Sequence, residues 1–298
     1  MQVSRIETSD APWPVMVLAY NEERKIVECL DSIYAADPTR QFEIFVMANG
    51  CTDRTEDIVR EYGRKHKGVH LVSIKMPDYC NAWNVFIHET AAQHLPDSQI
   101  YFFLDGDCRV HPGSMSEMAR ALAAHETAHA AGSIPVSGHN RDHDAKIMLE
   151  GRTFVANLYA LKGDFVRRLQ QKSVRLPVGL EGDDGLIGAL VKWDLDPRNN
   201  EFDNQRVVTC AKAGFDFDPV SRTSYRALRT YWRRLIRYGR RRYEFQLLGP
   251  ILKEKGLAGI PKHISEIYGE AKHLKLRWQG YRTIPNLIAL RQMRKQAS

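Results

Sequence analysis

Two nucleotide-binding signatures are missing from this sequence. Its 298 residues contain no GxGxxG stretch and no GxxxxGK[ST] stretch. The first absence argues against a dinucleotide-binding dehydrogenase, and the second argues against a P-loop nucleoside triphosphatase. We therefore expect neither class, although the order of the predicted helices and strands would allow both.

Cysteines are few, and their spacing excludes two kinds of small scaffold. The chain has five cysteines, an odd number, and none of them forms a CxxC pair. Neither a disulfide framework nor a zinc knuckle fits this pattern, so we expect a reducing compartment.

Long apolar runs are absent as well. No stretch approaches the roughly 18–20 apolar residues that a membrane-spanning helix needs, and the opening MQVSRIETSDAPWP has no apolar segment like that of a signal peptide. We expect a cytoplasmic protein, and peripheral contact with the inner face of a membrane stays open.

Acidic residues are scarce in the last quarter of the chain. Residues 219–298 contain 19 Lys and Arg but only 4 Asp and Glu, a net charge of +15. The whole chain carries +7, so residues 1–218 carry −8. A basic tail on an acidic body suggests an anionic partner for the tail: a phosphate, a membrane surface or a nucleic acid.

Short apolar runs alternate with helical patterns in the first half of the chain. The predicted strands lie at 15–20, 42–48, 69–74, 100–104 and 128–136. Strands that alternate with helices predict a mostly parallel sheet with helices on both faces. Ligands of such sheets bind beyond the carboxyl ends of the strands. The polar segments 21–23, 49–53 and 105–108 stand at three of those ends, so we expect them to converge in one crevice.

Two carboxylates follow the fourth predicted strand. Asp105 and Asp107 are two positions apart, so they would point to the same side of an extended chain. Gly106 between them lets the backbone bend and lets a ligand approach closely. Like charges side by side are costly unless a cation joins them, and Mg²⁺ and Mn²⁺ prefer oxygen ligands. The alternative is a solvated turn.

An acidic cluster precedes an apolar helical pattern at EGDDG. Its carboxylates belong to Glu181, Asp183 and Asp184. Acids at a helix start complement the helix dipole, which is one interpretation. The other interpretation is a general base, which needs a carboxylate within reach of an acceptor hydroxyl. The spacing alone leaves both open.

A predicted helix near residue 230 carries a stripe of arginines. The stripe consists of Arg226, Arg229, Arg233, Arg237 and Arg240. An apolar stripe accompanies it, formed by Tyr225, Leu228, Trp232, Leu235 and Ile236. Guanidinium groups suit phosphate oxygens. The pattern also fits a nucleic-acid or membrane-surface binding protein, which we keep as an alternative function.

HETAH at 125–129 matches the HExxH motif of zinc metalloproteases. His125 and His129 would bind zinc, Glu126 would be the base, and Glu150 could supply a third ligand. The preceding helical pattern ends near His125, however, and a strand pattern follows at once. The two histidines would then not share a helical face, so the protease is a minor alternative.

Six segments together resemble family 2 glycosyltransferases of the GT-A fold. In chain order they are PVMVLAYNEERKIVECLDSI, ANGCTDRTEDIV, NAWN, FFLDGDCRV, GDDGLI and RRLIRYGRR. The resemblance covers about residues 13–242. It implies a GT-A α/β domain over 1–218 that binds a nucleotide-sugar, and a basic helical region over 219–298 that completes the site. It also implies inverting transfer of a sugar to an acceptor hydroxyl.

The resemblance assigns roles to individual residues. The nucleotide-sugar would be bound by Ala19, Tyr20, Asn21, Glu22, Asn49, Asp53, Asn81, Asn84, Asp105, Arg234 and Arg237. Asp105 and Asp107 would hold Mn²⁺ or Mg²⁺ against the diphosphate. Asp184 would deprotonate the acceptor, with Asp183 before it.

Partners follow from the same resemblance. The donor would be a UDP-sugar, with GDP- and dTDP-sugars as alternatives, because Asn49 stands where the family usually has an acid. The acceptor would be a saccharide or a lipid-linked saccharide, and nucleic acid is not expected. RxxRY over Arg234 to Tyr238 replaces the usual RxxRW.

Overall fold

The computed structural model describes residues 11–218 and 225–297. Side chains are described from residue 228 onward in the second range. The expected division between 218 and 219 falls at the edge of the described residues, and the side chains of Tyr225 and Arg226 lie outside the description.

Within these residues, eight strands form one sheet in the order β3-β2-β1-β4-β7-β6-β8-β5. The strands are β1 (Trp13–Ala19), β2 (Phe42–Asn49), β3 (Val69–Ile74), β4 (Ile100–Asp105), β5 (Cys108–Val110), β6 (Ala130–Pro135), β7 (Leu158–Lys162) and β8 (Val207–Phe217). β5 and β7 run antiparallel to their neighbours, whereas the other strands share one direction. The predicted α/β class with a mostly parallel sheet is confirmed.

Helices cover the sheet and form the end of the chain. They are α1 (Ile26–Ala36), α2 (Thr55–Lys65), α3 (Tyr79–Val85), α4 (Ala91–His94), α5 (Ser114–Ala124), α6 (Arg141–Gly151), α7 (Gly163–Gln171), α8 (Asp183–Lys192), α9 (Tyr225–Lys255) and α10 (Thr283–Gln296). A π-helical turn, Phe86–Thr90, joins α3 to α4. Three 3₁₀ segments complete the set: Asn204–Arg206, Gly256–Gly259 and Ile264–His273.

The core lies on both sides of the sheet because alternate strand residues face opposite ways. On β1, Met16 belongs to one buried apolar cluster, whereas Val15 and Val17 belong to the other. On β4, Phe103 and Phe102 divide in the same way. Central strands buried on both faces explain the continuous apolar runs in the sequence.

The HExxH segment does not form a helix. α5 ends at Ala124, and His129 stands directly before β6. His125 contacts the carbonyl oxygen of Ala121 through Nδ1 at 2.8 Å, and His129 pairs with Asp194 through Nε2 at 3.0 Å. The two histidines therefore do not share a helical face, and the metalloprotease alternative loses its structural basis.

The predicted apolar stripe of α9 is only partly buried. Leu235 is buried, but Leu228 and Trp232 are exposed. The stripe is interrupted because α10 packs against α9 from Gly239 onward, where Asn286 and Ala289 approach the glycine. Among the described residues, no helix is both apolar and long enough to cross a bilayer.

Candidate active site

The end of β4 brings Asp105 against the end of β1. The Gly106 N–H donates a 2.7 Å hydrogen bond to the Leu18 carbonyl oxygen. A Cβ atom at Gly106 would lie only 2.8 Å from that oxygen, so a side chain here would push the two strand ends apart. Glycine is therefore required where the two carboxylates turn into the crevice.

Asp105, Asp107 and Cys108 form a possible metal site. One ligand atom from each residue lies within 4.8 Å of the others. Burial raises the pKa of the Cys108 thiol, with a further contribution from Asp105. The neutral thiol is 3.5 Å from Asp107 Oδ1 and accepts a 3.2 Å hydrogen bond from the Asn157 amide. The two carboxylates are thus the ligands suited to a hard cation.

Glu22 joins these carboxylates from the end of β1. Burial raises the pKa of Glu22 to about 7, and Asp107 and Asp53 add to the rise. Burial likewise raises the pKa of Asp105 to about 7, with contributions from Asp107, Asp184 and Glu22, which Arg237 opposes. These shifts show carboxylates crowded in a partly dry crevice, which is the environment that a divalent cation would relieve.

The turns after β1 and β2 are tied to each other. The Asn21 amide oxygen accepts a 2.8 Å hydrogen bond from the Thr52 N–H, and Asn21 itself has a φ of 58°. Asp53 accepts hydrogen bonds from the Glu23 N–H at 3.1 Å and from Thr55. Tyr20 is exposed at the rim. The predicted convergence of the first two polar segments is therefore present.

Two predicted nucleotide-binding asparagines, Asn49 and Asn81, are both hydrogen-bonded to Asp78 at the start of α3. Asn49 is buried, and its side-chain oxygen accepts a 2.9 Å hydrogen bond from the Asp78 N–H. Asp78 in turn accepts from the N–H groups of Asn81 and Gly179 at 2.8 Å each. The sequence reasoning missed Asp78, although an Asp directly before a helical pattern is a typical N-cap.

Asn84 is engaged at both ends of its amide. It donates to the Leu176 carbonyl oxygen at 2.9 Å and accepts from the Leu176 N–H at 2.8 Å. In this structure it fixes the segment that leads to the acidic cluster at 181–184.

The acidic cluster begins helix α8. Asp184 is buried, pairs with Arg241 at 2.9 Å and accepts the Gly185 N–H at 2.7 Å. Oδ2 of Asp183 is buried without a hydrogen-bond partner among the described residues. Burial raises the pKa of Asp183, and Asp184 and Asp105 raise it further. Asp183 and Asp184, the two acids predicted to include the base, therefore lie near Asp105.

Arg241 is a site residue that the sequence reasoning missed. It lies on α9, one residue after the predicted arginine stripe ends. α9 approaches so closely that a Cβ at Gly182 would be 2.5 Å from the Phe245 ring and 2.8 Å from Arg241. A Cβ at Gly185 would be 2.7 Å from the same ring. The two glycines that frame the acids are the sequence signal for this approach.

Arg237 also reaches the site from α9. Its Nε donates to Glu181 at 2.8 Å, and its charge lowers the pKa of Asp105. Arg234 and Tyr238 are exposed, as Arg237 is, but among the described residues no salt bridge includes Arg234. Of the two predicted arginines, only Arg237 therefore contacts the acidic loop directly.

Fold and site define a glycosyltransferase of the GT-A type, and the sequence profile described as "Glycosyl transferase family 2" matches residues 15–177. The chain belongs to this family. It is 29% identical over 107 residues to the glycosyltransferase AglE of Haloferax volcanii, a stretch that covers 35% of this chain and 33% of that relative. The match thus spans about a third of the relative's length.

Solved structures share the fold. The mannosyltransferase PcManGT from Pyrobaculum calidifontis, in complex with GDP-Man and Mn²⁺, superposes with a TM-score of 0.57 at 19% identity, covering 96% of this chain and 89% of that chain. S. aureus TarS 1–349, in complex with UDP-GlcNAc, gives 0.51 at 15% identity, covering 97% and 82%. These likenesses show that the chain shares its fold with both proteins.

Proposed function

We propose that this protein is a metal-dependent, inverting glycosyltransferase that moves a sugar from a nucleoside diphosphate to an acceptor hydroxyl. The observation that carries the proposal is the meeting of two acidic groups in one crevice. Asp105 ends β4 and Asp107 follows it, whereas Asp183 and Asp184 begin α8. Asp184 raises the pKa of Asp105, and Asp105 raises the pKa of Asp183.

Asp105 and Asp107 would hold Mn²⁺ or Mg²⁺. Two carboxylates with a third, Glu22, close by form an oxygen donor set that suits these cations. The raised pKa values of Asp105 and Glu22 fit a site where burial and neighbouring carboxylates outweigh the nearby positive charges of Arg237 and Lys25. A bound cation would neutralise charge that develops on the diphosphate leaving group.

The acidic loop would activate the acceptor. In an inverting reaction, the acceptor oxygen attacks the anomeric carbon as the bond to the diphosphate oxygen breaks, and a carboxylate takes the hydroxyl proton. We assign this role to Asp184, with Asp183 as the competing assignment. The ion pair with Arg241 and the hydrogen bond from Gly185 support Asp184 because they fix the direction of its carboxylate.

Arg237 and the strand ends would bind the donor. Arg237 would bind the diphosphate. Arg234 would also bind it if α9 moves or if the donor reaches the exposed side of α9. The remaining nucleotide contacts would come from Ala19, Tyr20, Asn21, Glu22, Asn49, Asp53, Asn81 and Asn84. Because Asn49, Asp78 and Asn84 already hold α3 and the 176–179 segment in place, we assign Asn49 and Asn84 a positioning share in this task.

The donor class is a UDP-, GDP- or dTDP-sugar. The complexes of PcManGT with GDP-Man and of TarS with UDP-GlcNAc support both a guanine and a uracil nucleotide. We propose a saccharide or lipid-linked saccharide as acceptor, in the cytoplasm or at the inner membrane face. Residues 1–218 would form the catalytic domain, and 219–298 would complete the site.

A thermal-shift screen tests the proposal directly. The purified protein is heated with UDP-, GDP- and dTDP-sugars, each with and without Mn²⁺. We expect one donor class to raise the melting temperature only when Mn²⁺ is present, because a ligand that binds the folded state stabilises it. The variant Asp105→Asn should lose this response.

Asp97→Asn is the matched control, since it makes the same chemical change at an exposed position. It should respond like the unaltered protein. Stabilisation that is unchanged in excess EDTA, or retained in Asp105→Asn, would contradict metal dependence. A screen without any donor response would contradict the donor class.

A further inference from the structure

Seven large apolar side chains are exposed near the start of α9 and in the segment that leads into the first turn of α10. We call these side chains, together with Arg233, Arg242, Lys275 and Arg277, the basic–aromatic face. The apolar members are Leu228, Tyr231, Trp232, Leu276, Trp278, Tyr281 and Ile284. Trp278 is 84% exposed, which is extreme for the largest apolar side chain. Clusters of this kind on a protein surface mark interaction sites.

These residues form one strip because the chain before α10 runs back along α9. Tyr281 and Tyr231 interact through their hydroxyl groups. Farther along α9, Asn286 approaches Gly239. The side-chain amide of Asn286 also donates a 2.9 Å hydrogen bond to the side-chain oxygen of Gln279. At the far end, Arg242 shares a cleft with residues 273–277. The strip therefore follows α9 from Tyr231 to Arg242, about 16 Å of helix.

The same strip is strongly basic. The sequence has no Asp or Glu in 225–243 or in 271–297. Arg237, Arg240 and Arg241 are neutralised by Glu181, Glu244 and Asp184 on the catalytic side. In the part of the chain that the structure describes, no salt bridge includes Arg233, Arg242, Lys275 or Arg277.

A cleft of about 280 Å³ lies within this strip. Its charged lining consists of Arg242, His273, Lys275 and Arg277, and Tyr243 forms part of its wall. Among the described residues, no carboxylate lines the cleft, although Glu270 is 3.8 Å from His273. The cleft therefore suits an anionic group such as a phosphate.

We propose that the basic–aromatic face docks on the surface of an anionic lipid bilayer and that the cleft receives a phosphate of a lipid headgroup. Basic residues beside Trp, Leu and Ile are the composition of interfacial membrane anchors. The aromatic rings would sit at the headgroup level, and Leu228, Leu276 and Ile284 would reach the acyl boundary. The inference gives a specific surface to the membrane contact named above, and it does not depend on the reaction.

Two other occupants fit the face less well. Nucleic acid would use the arginines and stack on the aromatic rings, but three exposed aliphatic side chains gain nothing from stacking on bases. A second copy of the chain would bring the same uncompensated positive charges against themselves in a two-fold interface. A bilayer accommodates both the charge and the aliphatic groups.

Vesicle flotation tests the docking without any donor or acceptor. The full chain is floated with vesicles of phosphatidylcholine alone and of phosphatidylcholine with phosphatidylglycerol. We expect binding to the mixed vesicles, weakened but not abolished by salt because part of the attraction is electrostatic and screened. A failure of the proposed reaction would leave this result unchanged.

Two double variants separate charge from apolar contact. Lys275→Ala with Arg277→Ala should weaken binding to anionic vesicles by roughly 10- to 30-fold, since each basic group near the surface contributes to the affinity. Trp278→Ala with Ile284→Ala should weaken binding at least about tenfold and remove the part that survives high salt. All four side chains are exposed, so the variants should fold.

Two control variants remove the same types of side chain outside the basic–aromatic face. Lys253→Ala with Lys255→Ala removes two exposed charges from the far end of α9, and Ile147→Ala removes an exposed isoleucine from α6. Both should float like the unaltered chain. The proposal is overturned if the chain does not bind anionic vesicles, or if the control variants lose as much binding as the face variants.

Two further outcomes would assign the face to another partner. Binding of a single-stranded oligonucleotide that Trp278→Ala weakens, in a protein that does not float, would identify a nucleic-acid surface. A dimer in sedimentation velocity that Trp278→Ala dissociates would identify a contact between copies. Either result, with no vesicle binding, overturns the lipid proposal.

Discussion

The backbone N–H of Glu181 donates a 2.9 Å hydrogen bond to the carboxylate of Glu244, which is completely buried. The same carboxylate accepts from Arg240 at 3.1 Å and from the Tyr268 hydroxyl at 2.5 Å. Burial raises the pKa of Glu244, and these donors oppose the rise. Glu244 therefore joins α9 and the 264–273 segment to the loop that carries Asp183 and Asp184.

Glu244→Ala should destabilise the protein by about 3–5 kcal/mol, because the largely buried Arg240 guanidinium, the Glu181 N–H and the Tyr268 hydroxyl would all lose this acceptor. Tyr268→Phe keeps the Glu244 carboxylate, removes one of its donors and removes an acceptor of Arg240, and should cost less, about 1–3 kcal/mol. Urea unfolding measures both values. The exposed Glu254→Ala on the same helix is the control, and an equal loss in that variant would contradict a special role for Glu244.

Removing one carboxylate from the crevice should stabilise the metal-free protein at high pH. The folded-state pKa of Asp105 is raised to about 7. Between about pH 4 and 7, the Asp105 carboxyl therefore keeps its proton in the folded protein and loses it in the unfolded chain. Stability from this group therefore falls as pH rises across that window and stays low above it.

Asp105→Asn removes that penalty. Its melting temperature should exceed that of the unaltered protein at pH 8, by roughly 2–4 °C for each kcal/mol of relieved repulsion, and the difference should shrink toward pH 5. Scanning calorimetry in EDTA measures it. A variant that is less stable than the unaltered protein at pH 8 and equally so at pH 5 would contradict repulsion as the cause.

Asp183 and Asp184 of α8 should differ in how much transfer activity is lost when each is changed to Asn. With Asp184 as the base, Asp184→Asn should reduce transfer by about 10²–10⁴-fold and keep donor binding. Asp183→Asn should retain more activity. The assay uses the donor that the thermal-shift screen identifies.

Loss of activity in Asp183→Asn alone would reverse this assignment. The rate of the unaltered enzyme should then rise with pH well above the usual carboxylate range, because burial and Asp184 raise the pKa of Asp183. This profile distinguishes a base from a residue that only holds the loop.

Gly182→Ala and Gly185→Ala should damage the site through packing. The added Cβ would lie 2.5 Å from the Phe245 ring in the first case and 2.7 Å in the second, so α9 must shift and Arg241 with it. We expect about 1–3 kcal/mol of destabilisation, together with weaker transfer, measured by thermal unfolding and by the donor assay.

Gly249→Ala is the matched control. It lies inside α9 with no atom within 4 Å of the added Cβ, so the same change should stabilise the helix by up to about 1 kcal/mol. If all three variants behave alike, the close approach of α9 does not constrain the acidic loop.

Much of the fold follows from local pattern. The apolar runs at 15–20, 42–48, 69–74 and 100–104 correspond to β1–β4, because buried central strands need continuous apolar sequence. β5 and β7 were harder to predict. β5 has only three residues, and β7 runs directly into α7, so neither has a clear period of its own.

The sequence by itself determined where the acids of the crevice lie: Asp105 and Asp107 at a strand end, and Asp183 and Asp184 at a helix start. Only the tertiary structure decided which arginine side chains contact the acidic loop. Arg237 pairs with Glu181 and Arg241 pairs with Asp184, whereas no salt bridge in the described part of the chain includes Arg234. The physical reason is that strand and helix ends are set by short-range pattern, but the contact between α9 and α8 joins residues more than 50 positions apart.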